Sequence, residues 1–138
     1  MSRVKKETDL VEHVVDFLKT QDYNVRLEVP NMGQSADIVA IKGRWLTIIE
    51  AKMHDWKRGF NQCKAHENVA DYICVAISTV SISQALRYNA NVNGYGIIHC
   101  NPQNGECKWF IRPKQNRKIW LPQRRFMLRN MRSIKNGN

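Results

Sequence analysis

The stretch Ser35-Ala36-Asp37-Ile38-Val39-Ala40-Ile41-Lys42-Gly43-Arg44-Trp45-Leu46-Thr47-Ile48-Ile49-Glu50-Ala51-Lys52 decides how the chain is read. Residues 36–42 and 45–52 are two short runs rich in Ile, Val and Trp. Gly43-Arg44 between them suits a two-residue hairpin turn, because glycine accepts the positive φ such turns demand. Both faces of the runs are apolar. Val39, Ile41, Leu46 and Ile48 fall on one; Ile38, Ala40, Trp45 and Ile49 fall on the other. Strands of that kind are covered on both sides.

A turn at Gly43-Arg44 fixes the register. Lys42 then faces Trp45, Ile41 faces Leu46, Val39 faces Ile48, and Asp37 faces Glu50. Opposed residues share a face, with Cβ atoms ~4.5–5.5 Å apart. Lys52 lies on that face too, since strand side chains alternate. Two carboxylates and an ammonium are therefore expected at the end of the hairpin away from its turn. Opposed carboxylates at that spacing repel by roughly 3–4 kcal/mol at an effective dielectric near 20. Lys52 offsets part of this. A hard divalent cation, Mg²⁺ or Mn²⁺, would offset more.

Outward from the hairpin, Leu10, Val11, Val14, Phe17 and Leu18 recur at helical spacing, so a helix is expected over 5–20. Residues 23–29 alternate as a strand, and 30–33 form a loop. A helix is expected over 55–66, with Trp56, Phe60 and Cys63 on one side. A buried strand follows at 72–77, then a helix over 81–90 with Ser81 as its N-cap. Asn93-Gly94 is a turn, 95–99 a strand, 101–105 a loop and 107–111 a last strand. A short helix near 122–131 sits in an otherwise loosely held segment. The order α-β-β-β-α-β-α-β argues an α/β fold, a mixed sheet flanked by helices.

At 138 residues the chain fits one domain, with a core over 1–112 and a basic C-terminal extension over 113–138. No apolar run reaches the ~18 residues of a membrane span. Met1-Ser2-Arg3-Val4-Lys5-Lys6 is followed by acids and no apolar core, so no signal peptide is expected and the cytoplasm is the expected location. None of Cys63, Cys74, Cys100 and Cys107 forms a CxxC pair, and no disulfide framework is expected. Cys100, Cys107 and His99 match no zinc-knuckle spacing.

The net charge of +10 is uneven. Residues 1–100 hold 12 Lys/Arg against 11 Asp/Glu, while residues 101–138 hold 10 against Glu106 alone. A basic segment on a near-neutral body points to a polyanion, with nucleic acid the leading partner. Lys57 and Arg58, beside the carboxylates, are candidate phosphate contacts. Arg112, Lys114, Arg117 and Lys118 are further candidates, with Arg124, Arg125 and Arg129 beyond them. Trp56, Trp109 and Trp120 are read as packing residues.

Ser35-Ala36-Asp37-Ile38-Val39-Ala40 followed by Glu50-Ala51-Lys52 resembles the active-site hairpin of the PD-(D/E)XK nuclease superfamily, with Ala36 in place of the motif's proline. Glu7, three residues before Leu10, resembles an acid many members carry on their first helix. Gln62 resembles a glutamine on the helix after the lysine strand. Residues 71–77 resemble the next core strand. The likeness covers roughly 4–100 and implies a restriction-endonuclease-like core. It implies Mg²⁺, with Mn²⁺ as substitute, on Asp37 and Glu50, and Lys52 assisting attack on a phosphodiester, most naturally in DNA. Glu12 and Glu28 are alternatives to Glu7 as the additional acid. A catalytically silent module that binds nucleic acid or anchors a complex is the alternative function. Cleavage of both strands or of a junction needs two sites, which would make a homodimer, but the sequence locates no interface.

Overall fold

The structure is a computed structural model that describes residues 3–132. The elements run α1 (Glu7–Thr20), β1 (Asn24–Asn31), β2 (Gln34–Lys42), β3 (Trp45–Lys52), α2 (Trp56–Lys64), β4 (Tyr72–Ile77), α3 (Gln84–Asn93), β5 (Gly96–Cys100), β6 (Cys107–Ile111) and α4 (Leu121–Arg132). The six strands form one mixed sheet in sequence order. β1, β2 and β3 are an antiparallel meander, β3, β4 and β5 are parallel, and β6 returns antiparallel. The chain is thus α/β, a mixed sheet with helices on both faces.

Parallel neighbours need crossovers, and successive crossovers of one hand advancing in one direction lie on one face. α2 and α3 accordingly share a face. Phe60, Cys63, Leu86 and Ala90 pack there with Val39, Leu46, Ile48 and Val75, and α4 adds Met127 and Met131. α1 covers the other face alone, setting Leu10, Val14 and Leu18 against Ile38, Ala40, Ile49 and Cys74. The hairpin register is as expected, from Lys42 opposite Trp45 to Ile38 opposite Ile49, and Gly43 takes φ 62° in the turn. No helix among the described residues is long and apolar enough to cross a membrane.

Three expectations are corrected. The first concerns α3, which starts later than the sequence suggested. Ser83, not Ser81, caps it, its Oγ accepting from the Leu86 N–H at 3.1 Å. The second concerns the cysteines. Cys100 and Cys107 are cross-strand partners of β5 and β6 and form a disulfide; no spacing motif announces it because strand pairing, not sequence distance, brings them together. The third concerns the basic extension, which is not loosely held. The Asn116 amide Nδ2 donates to the Glu67 and Ala70 carbonyls at 2.6 and 2.8 Å. The Trp120 N–H donates to the Asn68 carbonyl at 2.7 Å, and the α4 methionines are buried in the core. The extension's residues 133–138 lie outside the described residues.

Candidate active site

The two-residue alternation of β1 and β2 changes sides at one place. Val25 and Leu27 pack toward α1, but Val29 packs toward α2 and α4. Ile38 and Ala40 pack toward α1, but Ala36 packs the other way. Between these lie Glu28, with φ 50°, and Asp37 opposite it. A non-glycine residue in the left-handed region costs roughly 1–2 kcal/mol. Here it marks where the sheet twists hard enough to swap its faces.

That twist sets the end of the β2–β3 ladder. Pairing stops at Ile38–Ile49. Beyond it, the Asp37 carboxylate takes over: its Oδ2 accepts from the Ala51 N–H at 3.0 Å. Glu50 Oε2 lies 3.4 Å from the Asp37 N–H, which sets the two carboxyl groups beside each other. Burial, and after it the Glu50 carboxyl alongside, push Asp37 up to about 7. Burial also raises Glu50, while its bond with Asp37 works the other way.

Glu50 is fully buried. Its Oε1 is 2.8 Å from Nε2 of His66, which is fully buried in the turn after α2. Burial lowers His66 to about 4, so the ring is neutral and donates to the carboxylate. The ring's Nδ1 is 2.9 Å from the Asn31 Nδ2. Sequence reasoning missed His66 and Asn31. The one available signal was spacing: His66 extends the inward stripe of Gly59 and Cys63.

Lys52 ends β3, with its stem lying against Gly59 of α2. A Cβ on Gly59 would meet the Lys52 Cγ at 3.0 Å. Its Nζ is 3.9 Å from Glu7 Oε1 at the start of α1. Glu7, Glu12, Glu28 and Asp37 line one cavity of about 380 Å³ with Thr8, Val11 and Leu27. All three candidate acids therefore border the Asp37 opening, and Glu7 is the one paired with Lys52. Gln62 lies on α2 between Gly59 and Cys63, and its Oε1 is buried without a hydrogen-bond partner.

The basic candidates are spread out. Lys57 and Arg58 are exposed in the first turn of α2, whose N-cap Asp55 accepts from the Arg58 N–H at 3.1 Å. Arg125 and Arg129 are exposed one turn apart on α4, and Arg117 is exposed in the preceding segment. Arg112 lies over the Trp109 ring, and the Lys114 N–H bonds the Gly94 carbonyl; both are at the sheet end opposite the carboxylates. Lys118 lies 3.5 Å from Glu67. Arg124 has an internal role that removes it from the phosphate contacts: it grips both Asp71 oxygens, at 3.1 and 3.2 Å. Trp56 packs on Phe60 and Trp109 on Phe17, whereas Trp120 is 53 % exposed.

No group of three or more His, Cys, Asp or Glu side chains among the described residues is gathered to hold a metal ion. The donor set at the hairpin end is two carboxylates. Mg²⁺ is commonly held by one or two carboxylates, with water and phosphate oxygens completing its shell. Asp37 and Glu50 fit that pattern, because a cation between them would relieve the repulsion of two adjoining carboxylates held partly out of water.

No family model and no curated protein matches the chain. Among solved structures it is similar to SPO1766, a protein of unknown function from Silicibacter pomeroyi, with TM-score 0.70 and 10 % identity over 94 % of this chain and 86 % of that one. That likeness shows a shared fold.

Proposed function

We propose that the chain is a metal-dependent endonuclease of the PD-(D/E)XK type, with a restriction-endonuclease-like core, hydrolysing phosphodiester bonds in DNA. The observation that carries this reading is the Asp37–Glu50 pair at the frayed end of the hairpin, Glu50 buried and Asp37 half-buried, with Lys52 on the same strand end. Two adjoining carboxyls whose charged forms are disfavoured by burial are a poor structural element and a good cation site.

Asp37 and Glu50 would hold Mg²⁺, for which Mn²⁺ substitutes. Bound there, the ion supplies an acidified water and neutralises charge on a phosphoryl oxygen. Lys52 supplies a positive charge where negative charge builds in the transition state. Glu7 orients that ammonium, and Gln62, whose Oε1 has no hydrogen-bond partner, is the further polar side chain assigned to the site. Lys57 and Arg58 lie nearest to grip the DNA backbone, with Arg125 and Arg129 as a second exposed pair. The basic surplus gives the field that draws DNA in.

Plasmid cleavage in Mg²⁺ or Mn²⁺ tests the reading. The expected result is cutting that needs the ion and falls on the order of 10²–10³-fold in Lys52→Ala with an unchanged circular dichroism spectrum. Salt-sensitive binding without cleavage of duplex, branched or single-stranded DNA would instead make the chain a silent module. Cleavage confined to RNA would replace the substrate. Sedimentation with and without DNA decides whether two copies act together.

A further inference from the structure

Glu50 is the end of a longer chain of hydrogen bonds. Asn68 Nδ2 donates to Gln123 Oε1 at 3.2 Å, and Gln123 Nε2 donates to Asn31 Oδ1 at 2.9 Å. Asn31 Nδ2 lies 2.9 Å from His66 Nδ1, and His66 Nε2 lies 2.8 Å from Glu50 Oε1. Glu50 and His66 are fully buried, Asn31 is 1 % exposed and Gln123 8 %. Gln123 belongs to α4, Asn31 ends β1, Asn68 and His66 lie in the turn after α2, and Glu50 lies on β3.

The direction of this chain is set by its chemistry. Asn31 Nδ2 also lies 3.4 Å from the Ala65 carbonyl, which only accepts, so the nitrogen of that amide faces Ala65 and His66. An amide nitrogen only donates. His66 Nδ1 must therefore be the acceptor, and the ring proton sits on Nε2. Each amide between Asn68 and His66 then has one choice: donate onward toward Glu50. Aligned donors polarise one another, and the sum falls on a single carboxylate oxygen. Oε1 is thereby occupied, and Oε2 is left turned toward Asp37.

We propose that His66, locked by Asn31 and by Gln123 of α4, is the positioning residue of the metal site: it fixes the rotamer of Glu50 so that Oε2 faces Asp37 and the cation. This rests on the metal-site reading above and extends it to the C-terminal helix. α4 carries Arg125 and Arg129 on its exposed side and Gln123 on its buried side. The helix that offers charge to DNA is then also the one that braces the metal carboxylate from behind. Partners that orient a ligand in this way are worth about 10–100-fold in metal affinity.

The test measures Mn²⁺ affinity by calorimetry, with cleavage kinetics alongside, in the full chain. His66→Leu removes the donor; His66→Gln keeps an amide N–H near the Nε2 position; Gln123→Met keeps the packing of α4 and cuts the chain two links away. The expected result is Mn²⁺ binding weakened about 10–100-fold in His66→Leu, restored to within a few-fold in His66→Gln, and weakened several-fold in Gln123→Met. If His66→Leu does not fold, His66→Gln against Gln123→Met decides. Unchanged Mn²⁺ affinity in folded His66→Leu, or in Gln123→Met where that variant is the measurable one, overturns the inference while leaving the metal site standing. Loss in His66→Leu that His66→Gln does not recover at all also overturns it, since the donor would not be what matters. Absence of Mn²⁺ binding by the unaltered chain overturns the metal-site reading, and this inference falls with it.

Discussion

Two aspartates clamp the two ends of β3, and they do it differently. At the turn end, Asp71 Oδ2 accepts from the Leu46 N–H at 2.8 Å, and Arg124 holds both of its oxygens. At the other end, Asp37 Oδ2 accepts from the Ala51 N–H at 3.0 Å, and what faces it is a second carboxylate. The turn end is finished in other ways as well. The ladder runs to Lys42–Trp45, the Arg44 guanidinium sits 4.4 Å over the Trp45 ring, and Trp45 packs edge-on against Tyr72. One end of the strand is electrostatically matched and the other is held in tension by the fold around it. Tension of that kind collects where a ligand is to be received.

The largest expected contrast comes from neutralising each aspartate in turn. Asp37→Asn keeps an oxygen for the Ala51 N–H and removes one of the two adjoining carboxyls. Cleavage should fall on the order of 10³-fold, while the metal-free protein at pH 8 melts no lower than the parent. Asp71→Asn should do the reverse. It strands the half-buried Arg124 and costs about 1–3 kcal/mol in a urea melt, with turnover per folded molecule nearly unchanged. If Asp37→Asn destabilises and Asp71→Asn silences, the two ends have been assigned the wrong way round.

The sequence made the hairpin legible, and for a physical reason. A two-residue turn leaves one register, and the apolar runs on both faces leave one place in the sheet. The positions of Asp37, Glu50 and Lys52 followed from that arithmetic. What did not follow was the twist at Glu28, where alternation reverses: a lone residue at positive φ carries no pattern signature. Simple alternation puts Asp37 on one face with Val39 and Ile48, which pack toward α2, whereas it also opens into the acidic cavity beside α1. Long-range partners were illegible for a different reason. Gln123 meets Asn31 across 92 residues, and Arg124 meets Asp71 across 53. Neither pair has a local spacing to betray it, so a segment rich in arginine read as loosely held when Asn116, Gln123 and Arg124 are built into the body.

The contrast sharpens with pH. Asp37, raised from 3.8 to about 7, binds a proton in the fold that the unfolded chain has already lost, so metal-free stability falls as pH rises from about 4 to about 7. His66, lowered from 6.5 to about 4, works in the opposite direction: its contribution is present above pH 6.5 and is lost as pH falls toward 4. The two windows overlap and oppose each other. The unaltered protein should therefore show a shallower pH dependence of melting than either variant below, with the raised Glu50 adding to the Asp37 side. Asp37→Asn should expose the His66 limb, melting lower as pH falls. His66→Gln should expose the Asp37 limb, melting lower as pH rises. Mn²⁺ binding adds a further sign, because the ion displaces the Asp37 proton: calorimetry at pH 6 in buffers of different ionisation enthalpy should show proton release that fades by pH 8. A melting profile of the same shape in all three proteins would mean that neither group is held as the geometry requires.

The smallest expected effect separates position from charge. Gly59 lets α2 approach β3 closely enough for the Lys52 stem to pass beneath it; an added Cβ would sit 3.0 Å from the Lys52 Cγ and 3.6 Å from a Val75 methyl. Alanine is favoured over glycine inside a helix by about 1 kcal/mol, which offsets the crowding. Gly59→Ala should therefore leave stability within about 1 kcal/mol of the parent. The flexible lysine stem is what gives way, and with it the ammonium moves by a fraction of an ångström to an ångström. Misplacement on that scale can cost up to about 10²-fold in rate, and a shift shared along four methylenes should cost nearer tenfold. Because Asp37 and Glu50 are untouched, Mn²⁺ affinity stays as it was and the loss appears in kcat. A matching change at the other end of β3, Arg44→Ala, removes the cation over Trp45 and should leave kcat alone. Equal losses from the two substitutions would show that the rate follows the rigidity of β3 as a whole and not the placement of one ammonium at its frayed end.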